Sequence, residues 1–281
     1  MKKQFIGIML ALSIINTTPV FANGPTGRIE IALSDEYKVT SGKNLATLDD
    51  ETVAQIKEFW KPYIDFDLNS KKNIIVLTVS TDRYNFVDIA LNYFNMKFNY
   101  GNHIEYLNYD RNYDAKTGKY MFVSYINVDD KTRESIRQLQ EAKILMDQDI
   151  QYFKGLIQKD TNLDEKDLSK FYNYIVLRYT YRYSDNVYEN SAYNFSKLGI
   201  GACEQAAQVV DYELNKMGIK CYVIRGSVDN GQLHSWNVVD LNGKIYSLDT
   251  TFGNTTSERN KYLAVDDTLK FGENRSILGI Y

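Results

Sequence analysis

Hydrophobic and polar positions fall into two rhythms along this chain, and together they predict a mixed α+β protein. Residues 28–33 (Arg-Ile-Glu-Ile-Ala-Leu) alternate with period two, as a strand with one buried face does. Residues 50–60 carry a helical pattern, expected to stop near Pro62 because proline breaks the helical hydrogen-bond ladder. The β-branched run 73–80 predicts a buried strand, and a short helix follows over about 84–95. Strand-like stretches near 103–109 and 119–128 are joined by the polar turn Lys116-Thr117-Gly118. Ile136, Leu139, Ala142, Met146, Ile150, Phe153 and Ile157 then recur at intervals of three or four, which makes one apolar stripe on a long helix. Such a stripe belongs to a core or a domain interface. A second helix is expected after Asn162 as N-cap, with Glu165 three residues on as in a capping box. Leu168, Phe171, Tyr172 and Ile175 form its buried face.

Farther along, Ala206, Val210, Leu214 and Met217 keep the helical interval from about Cys203 to Met217, and Gly218 stops the pattern as a C′ residue does. Residues 233–241 and 244–251 alternate around Asn242-Gly243, a strong two-residue hairpin signal. An unbulged hairpin pairs Leu241 with Lys244, Trp236 with Asp249 and His234 with Thr251. The four last-named residues then share one face, with Asp249 diagonal to His234, roughly 7–8 Å away and within carboxylate–imidazole reach. A bulge would shift this register. The polar stretch Lys159-Asp160-Thr161 marks a soft boundary near residue 159. Residues 23–158 are expected to form an N-terminal α+β domain without a catalytic motif, and 159–281 the domain that carries the chemistry.

The first residues read differently. A basic Met1-Lys2-Lys3 start, an apolar run from Phe5 to Ile15 and the small-residue site Val20-Phe21-Ala22 predict a signal peptide over 1–22. The run is too short to span a bilayer as a mature helix. The mature product is expected to be secreted or cell-surface, with no membrane association after signal removal. Composition narrows the rest. The 281 residues are 44% apolar and 25% charged, an ordinary globular balance that excludes disorder and fibrous classes. A formal charge of −3 argues against a nucleic-acid partner held by phosphate neutralisation. Two cysteines cannot build a disulfide framework or a four-cysteine zinc site.

Candidate chemistry gathers in 199–253. Gly199-x-Gly201 lacks the third glycine and the Gly-Lys-Ser/Thr of phosphate loops, so it reads as a tight lead into a helix. Cys203 falls in that helix's first turn, where free N–H groups and the dipole favour a thiolate and offer a donor to an oxyanion. The alternative is a small packed residue at a helix start. An Asp249 carboxylate beside His234 fixes the ring and stabilises its protonated form, and an imidazolium beside Cys203 stabilises the attacking thiolate. Trp236, on the same face, would shield that bond from water. His103 stands alone among polar and aromatic residues and reads as structural or solvent-facing. Cys203, His234 and Asp249 as zinc ligands form a further reading, with no evident fourth ligand.

Gly201-Ala202-Cys203, His234-x-Trp236-Asn237 and Leu248-Asp249-x-Thr251 resemble the transglutaminase-like superfamily, over about residues 163–253. Ala202 and Glu204 stand where many relatives carry valine and other polar residues. The resemblance implies a papain-like α+β core, with a cysteine-bearing helix packed on an antiparallel sheet bearing histidine and aspartate. It also implies Cys203 as nucleophile, His234 as general base and acid, and Asp249 as the residue orienting it. Gln205 and Tyr193 are candidates for a side chain in the oxyanion hole. The implied activity is acyl transfer through a Cys203 thioester on a protein or cell-wall peptide substrate, with hydrolysis favoured, cross-linking to amines as the alternative, and a non-catalytic binding module as the rival class. No cofactor or metal is expected. Both cysteines are expected free, because Cys221 alternates with Ile219 and Val223 in a strand-like packing position, and a bridge would consume the nucleophile.

Overall fold

The structure is a computed structural model, and it describes residues 48–159, 162–183, 190–228, 231–256, 262–265 and 275–281. The expected signal peptide and the strand at 28–33 lie outside these residues. The first described helix, α1 (Asp50–Ile64), starts on Asp49, whose carboxylate accepts from the Thr52 N–H at 2.7 Å. It runs through Pro62 rather than stopping before it. Proline forfeits one hydrogen bond only a turn from the end, while buried Phe59, Trp60 and Tyr63 hold that turn to the core.

Strand β1 (Ile74–Thr81) is followed by α2 (Phe86–Lys97), β2 (Tyr109–Asp114) and β3 (Lys119–Asn127). The three strands form one antiparallel sheet in the order β1-β3-β2. The expected buried strand at 73–80 is instead half-buried: Ile75 and Leu77 face the core while Ile74 and Val76 are exposed. A continuous apolar run does not distinguish these cases. The strand expected at 103–109 begins only at Tyr109.

Helix α3 (Asp130–Ile157) buries Ile136, Leu139, Ala142, Met146, Ile150 and Phe153, as the stripe predicts. Helix α4 (Glu165–Arg178) is capped by Asp164, not Asn162. Asn162 takes a left-handed φ of 59°, and Asp164 and Asp167 bond each other's backbone N–H reciprocally, so the capping box begins two residues later than expected. The chain passes the expected boundary near 159 between these helices, yet side chains from both sides of it meet in one core, and all described residues lie in one compact unit.

A short strand β4 (Thr180–Tyr181), helix α5 (Ala192–Leu198) and strand β5 (Ile200–Gly201) lead into α6 (Cys203–Lys216). Helix α6 lies on β6 (Lys220–Val228) and β7 (Gln232–Leu241). With β8 (Lys244–Leu248), β9 (Leu263–Val265) and β10 (Arg275–Ile280) these make an antiparallel sheet in the order β10-β6-β7-β8-β9, and α7 (Thr250–Thr255) follows β8. The class is α+β. Lys97, at the end of α2, clamps the halves together: its ammonium pairs with the buried Asp211 carboxylate of α6 and reaches the carbonyls of Cys221 at 3.2 Å and Tyr281 at 3.3 Å.

Candidate active site

The hairpin signal is met. Asn242 and Gly243 both have positive φ (57° and 82°), as a two-residue turn between right-twisted strands requires, and Leu241 pairs with Lys244. The register holds as far as Asn237 opposite Leu248, and there β8 stops. Asp249 and Thr251 were expected to continue the strand. Instead Asp249 is the N-cap of α7, its Oδ1 accepting from the Phe252 N–H at 3.0 Å, and Thr251 lies in that helix. The side-chain preference of Asp for a cap overrides the alternating pattern.

The His–Asp pair forms nonetheless. His234 Nε2 lies 2.7 Å from Asp249 Oδ2, with the histidine 7% exposed and the aspartate fully buried. One carboxylate thus serves two masters, Oδ1 for the helix and Oδ2 for the ring. Its backbone is held as well, by a bond from its N–H to the Tyr262 carbonyl at 2.9 Å and by the Tyr172 hydroxyl on its carbonyl at 3.4 Å. Gly253 permits this packing, since a Cβ there would lie 1.9 Å from the Tyr172 hydroxyl oxygen. The imidazole is lined by Trp236, stacked at 5.9 Å between ring centres, and by Phe252 at 4.9 Å. Trp236 thus packs beside the ring on the strand face that the two residues share.

Cys203 opens α6 and is half-exposed, while Cys221 is buried; both thiols are free. Charge at Cys203 acts on the His234 imidazole together with that of Asp249. With Nε2 engaged by Asp249, Nδ1 is the ring nitrogen left for the sulfur. Burial alone would lower the His234 pKa, but negative charge at Asp249 and Cys203, with the hydrogen bond to Asp249, outweighs it and raises the pKa to about 10. The ring is thus held protonated at neutral pH against the Asp249 carboxylate. Burial and a like charge push the Cys221 thiol well up, which suits a packed, inert residue.

The start of α6 differs from most other helices here. Asp49, Asp129, Asp164, Ser191 and Asp249 each cap a helix with a side chain, whereas the N-cap of α6 is Ala202, which has no acceptor. The N–H groups beside Cys203 are left for another acceptor. Asn237, fully buried in β7, donates to the Ala207 carbonyl of α6 at 2.9 Å and so ties the histidine strand to the cysteine helix.

The two supporting candidates have contacts of their own. Gln205 is buried, and its Oε1 accepts from the Ala202 N–H at 3.2 Å, spending the carboxamide oxygen on the helix start. Tyr193 packs against α3: Lys197 donates to its hydroxyl at 2.5 Å, and the Arg137 guanidinium lies 5.6 Å from the ring centre. Their sequence positions near Cys203 do not reveal these commitments. His103 lies 3.4 Å from the Asn95 side chain in a half-buried loop. Among the described residues, no group of three His, Cys, Asp or Glu side chains is arranged to hold a metal, and no helix is long and apolar enough to cross a membrane.

No family model and no curated protein sequence matches the chain. Solved structures give likenesses of fold. One is a protein described as a TGase, 16% identical, with a TM-score of 0.35 and coverage of 75% of this chain and 59% of that one. A second is a candidate protease from Parabacteroides distasonis, 9% identical, TM-score 0.30, covering 62% and 37% respectively. A third is a candidate cysteine protease from Cytophaga hutchinsonii, 8% identical, TM-score 0.33, covering 75% and 80%. The chain thus aligns with less than two thirds of the first two proteins' length.

Proposed function

We propose that this protein is an exported, cysteine-dependent acyl-transfer enzyme, acting on amide bonds of protein or cell-wall peptide through a Cys203 thioester, with water as the favoured acceptor. The observation that supports the reading is the Asp249 carboxylate 2.7 Å from the His234 ring, which also feels the charge of Cys203 at an uncapped helix start. The Cys203 thiolate attacks the acyl carbon, the carbonyl electrons move to oxygen, and the N–H groups at the start of α6 receive the oxyanion. Collapse breaks the C–N bond as the His234 imidazolium protonates the departing amine. The neutral ring then takes a proton from water, which attacks the thioester and releases the acid and Cys203. Export, read from residues 1–22, directs the enzyme to proteins or wall peptides outside the cell. Water is always present at the half-exposed thiol, which favours hydrolysis over transfer to an amine.

The test is to incubate the protein with secreted and wall proteins, trap the Cys203 acyl adduct, and identify the acyl group by mass spectrometry. An adduct that requires His234 and decays in buffer supports the hydrolase. Decay only with an added amine supports cross-linking. No adduct at all, with peptide retained non-covalently, supports a binding module and overturns the enzyme reading.

A further inference from the structure

We propose that Tyr181 is a catalytic residue of this site, its phenolic hydroxyl completing the oxyanion hole beside the N–H groups that open α6. The inference rests on the acyl-transfer reading above and names a side-chain donor besides the N–H groups at the start of α6.

The geometry begins with the smallest sheet. Strands β4 and β5 run parallel, with the Thr180 N–H on the Gly199 carbonyl at 2.7 Å and the Arg182 N–H on the Gly201 carbonyl at 2.8 Å. Tyr181 therefore stands opposite Gly201, two residues before the nucleophile. Alternation along the extended segment puts Tyr179 and Tyr181 on one side. Tyr179 shows which side that is. Its ring meets Phe195 at 4.8 Å, and its hydroxyl donates to Thr251 at 3.1 Å, two residues from Asp249. Exposure rises along the segment: Tyr179 is 4% exposed, Tyr181 half-buried and Tyr183 49% exposed.

Their hydroxyls are not equivalent. That of Tyr179 is spent on Thr251. That of Tyr181 has no hydrogen-bond partner among the described residues. Burial, and then charge at Cys203, push the Tyr181 phenol up to about 12, so it lies within electrostatic reach of the thiol and keeps its proton over the working range of pH. A neutral phenol that remains a donor, one strand from the nucleophile, suits an oxygen that gains charge only during attack. No proton is transferred: Tyr181 donates a hydrogen bond while the C–S bond forms, and releases it when the leaving group departs.

Two probes on the full chain separate this role from others. p-Nitrophenyl acetate acylates Cys203 through a tetrahedral oxyanion and expels p-nitrophenolate. Iodoacetamide alkylates the same sulfur by displacing iodide and forms no oxyanion. Tyr181→Phe removes only the hydroxyl. It should slow acylation by about 10²–10³-fold, the loss typical of one oxyanion-hole donor, while leaving His234-dependent alkylation of Cys203 unchanged. The ratio of the two rates is the readout, because loss of folded protein affects both. Tyr183→Phe, on the rim, should leave the ratio as in the parent. An unchanged ratio in Tyr181→Phe overturns the proposal, whether the two rates stay as they were or fall together. If the parent protein shows neither acylation nor faster alkylation of Cys203 than of Cys221, the acyl-transfer reading itself fails, an outcome distinct from loss of the Tyr181 role alone.

Discussion

Asp249 holds a helix with one oxygen and an imidazole with the other, and this division separates stability from activity in its variants. Asn retains an acceptor for the Phe252 N–H and is a good N-cap, so Asp249→Asn should fold nearly as well as the parent. It loses the charge that keeps His234 protonated, and turnover should fall by up to about 10⁴, the loss seen when a serine triad loses its carboxylate. Asp249→Ala loses the cap as well and should cost a further ~0.5–2 kcal/mol of stability by urea denaturation. The pH dependence has a definite sign. The folded His234 pKa of about 10 lies above the ordinary 6.5, so its contribution to stability is full below about 6.5 and is lost as pH rises through about 10. Melting curves across that window should slope downward in the parent and less so in Asp249→Asn. An equal slope in both would remove Asp249 as the source of the shift. At this scale the sequence placed Cys203 at a helix start and His234 on a strand face, whereas Asp249 reaches His234 as a helix cap and not through the expected hairpin register. It was silent on Tyr181, whose only signal is the aromatic alternation of Tyr179-Thr180-Tyr181-Arg182-Tyr183, since its neighbour across β4–β5 comes from a pairing twenty residues away in sequence.

Elements that follow one another closely were legible where punctuation was unambiguous. Gly218, with φ of 83°, ends α6 as its position predicts, and Asn242-Gly243 sets the hairpin. Legibility failed where one residue had two possible uses. Asp249 reads equally as the next strand position and as a cap, and only the burial of α7 against α4 selects the cap. That packing gives an element-scale prediction. A Cβ at Gly253 would lie 1.9 Å from the Tyr172 hydroxyl oxygen and 2.8 Å from the ring carbon bearing it, so Gly253→Ala must displace α7 or Tyr172. Overpacking of this kind typically costs ~1–3 kcal/mol, and a displaced α7 also carries Asp249 away from His234. Tyr172→Phe removes the nearest atom and the bond to the Asp249 carbonyl. The double variant should therefore be less destabilised than the sum of the singles, measured by denaturant unfolding. Strict additivity would mean that the two residues do not meet.

At the scale of the molecule, the long apolar stripe of α3 was readable but its partner was not, because periodicity shows which face is buried and not what covers it. The structure sets α3 against α5 and α6, which joins sequence on both sides of residue 159 in one core. That core contains a charge out of keeping with its surroundings. Glu213 of α6 is fully buried, neither carboxylate oxygen has a hydrogen-bond partner among the described residues, and burial raises its pKa to about 8 against the opposing pull of Arg178. Arg178 itself is drawn into an ion pair with Asp149, which leaves Glu213 only its more distant field. For a carboxyl whose folded pKa is raised from 4.5 to about 8, the contribution to stability is full below about 4.5 and is lost as pH rises through about 8. Glu213→Gln removes this titration while keeping size and polarity. Relative to the parent, it should be gained stability that grows between pH 5 and 9, reaching up to roughly 4 kcal/mol, with acylation of Cys203 unaltered because the change lies outside the Cys–His–Asp chain. Paired thermal melts at pH 5, 7 and 9 measure it. A difference between the two proteins that stays constant across this range would show that Glu213 is already ionised at pH 5, held by Arg178 more strongly than its burial opposes.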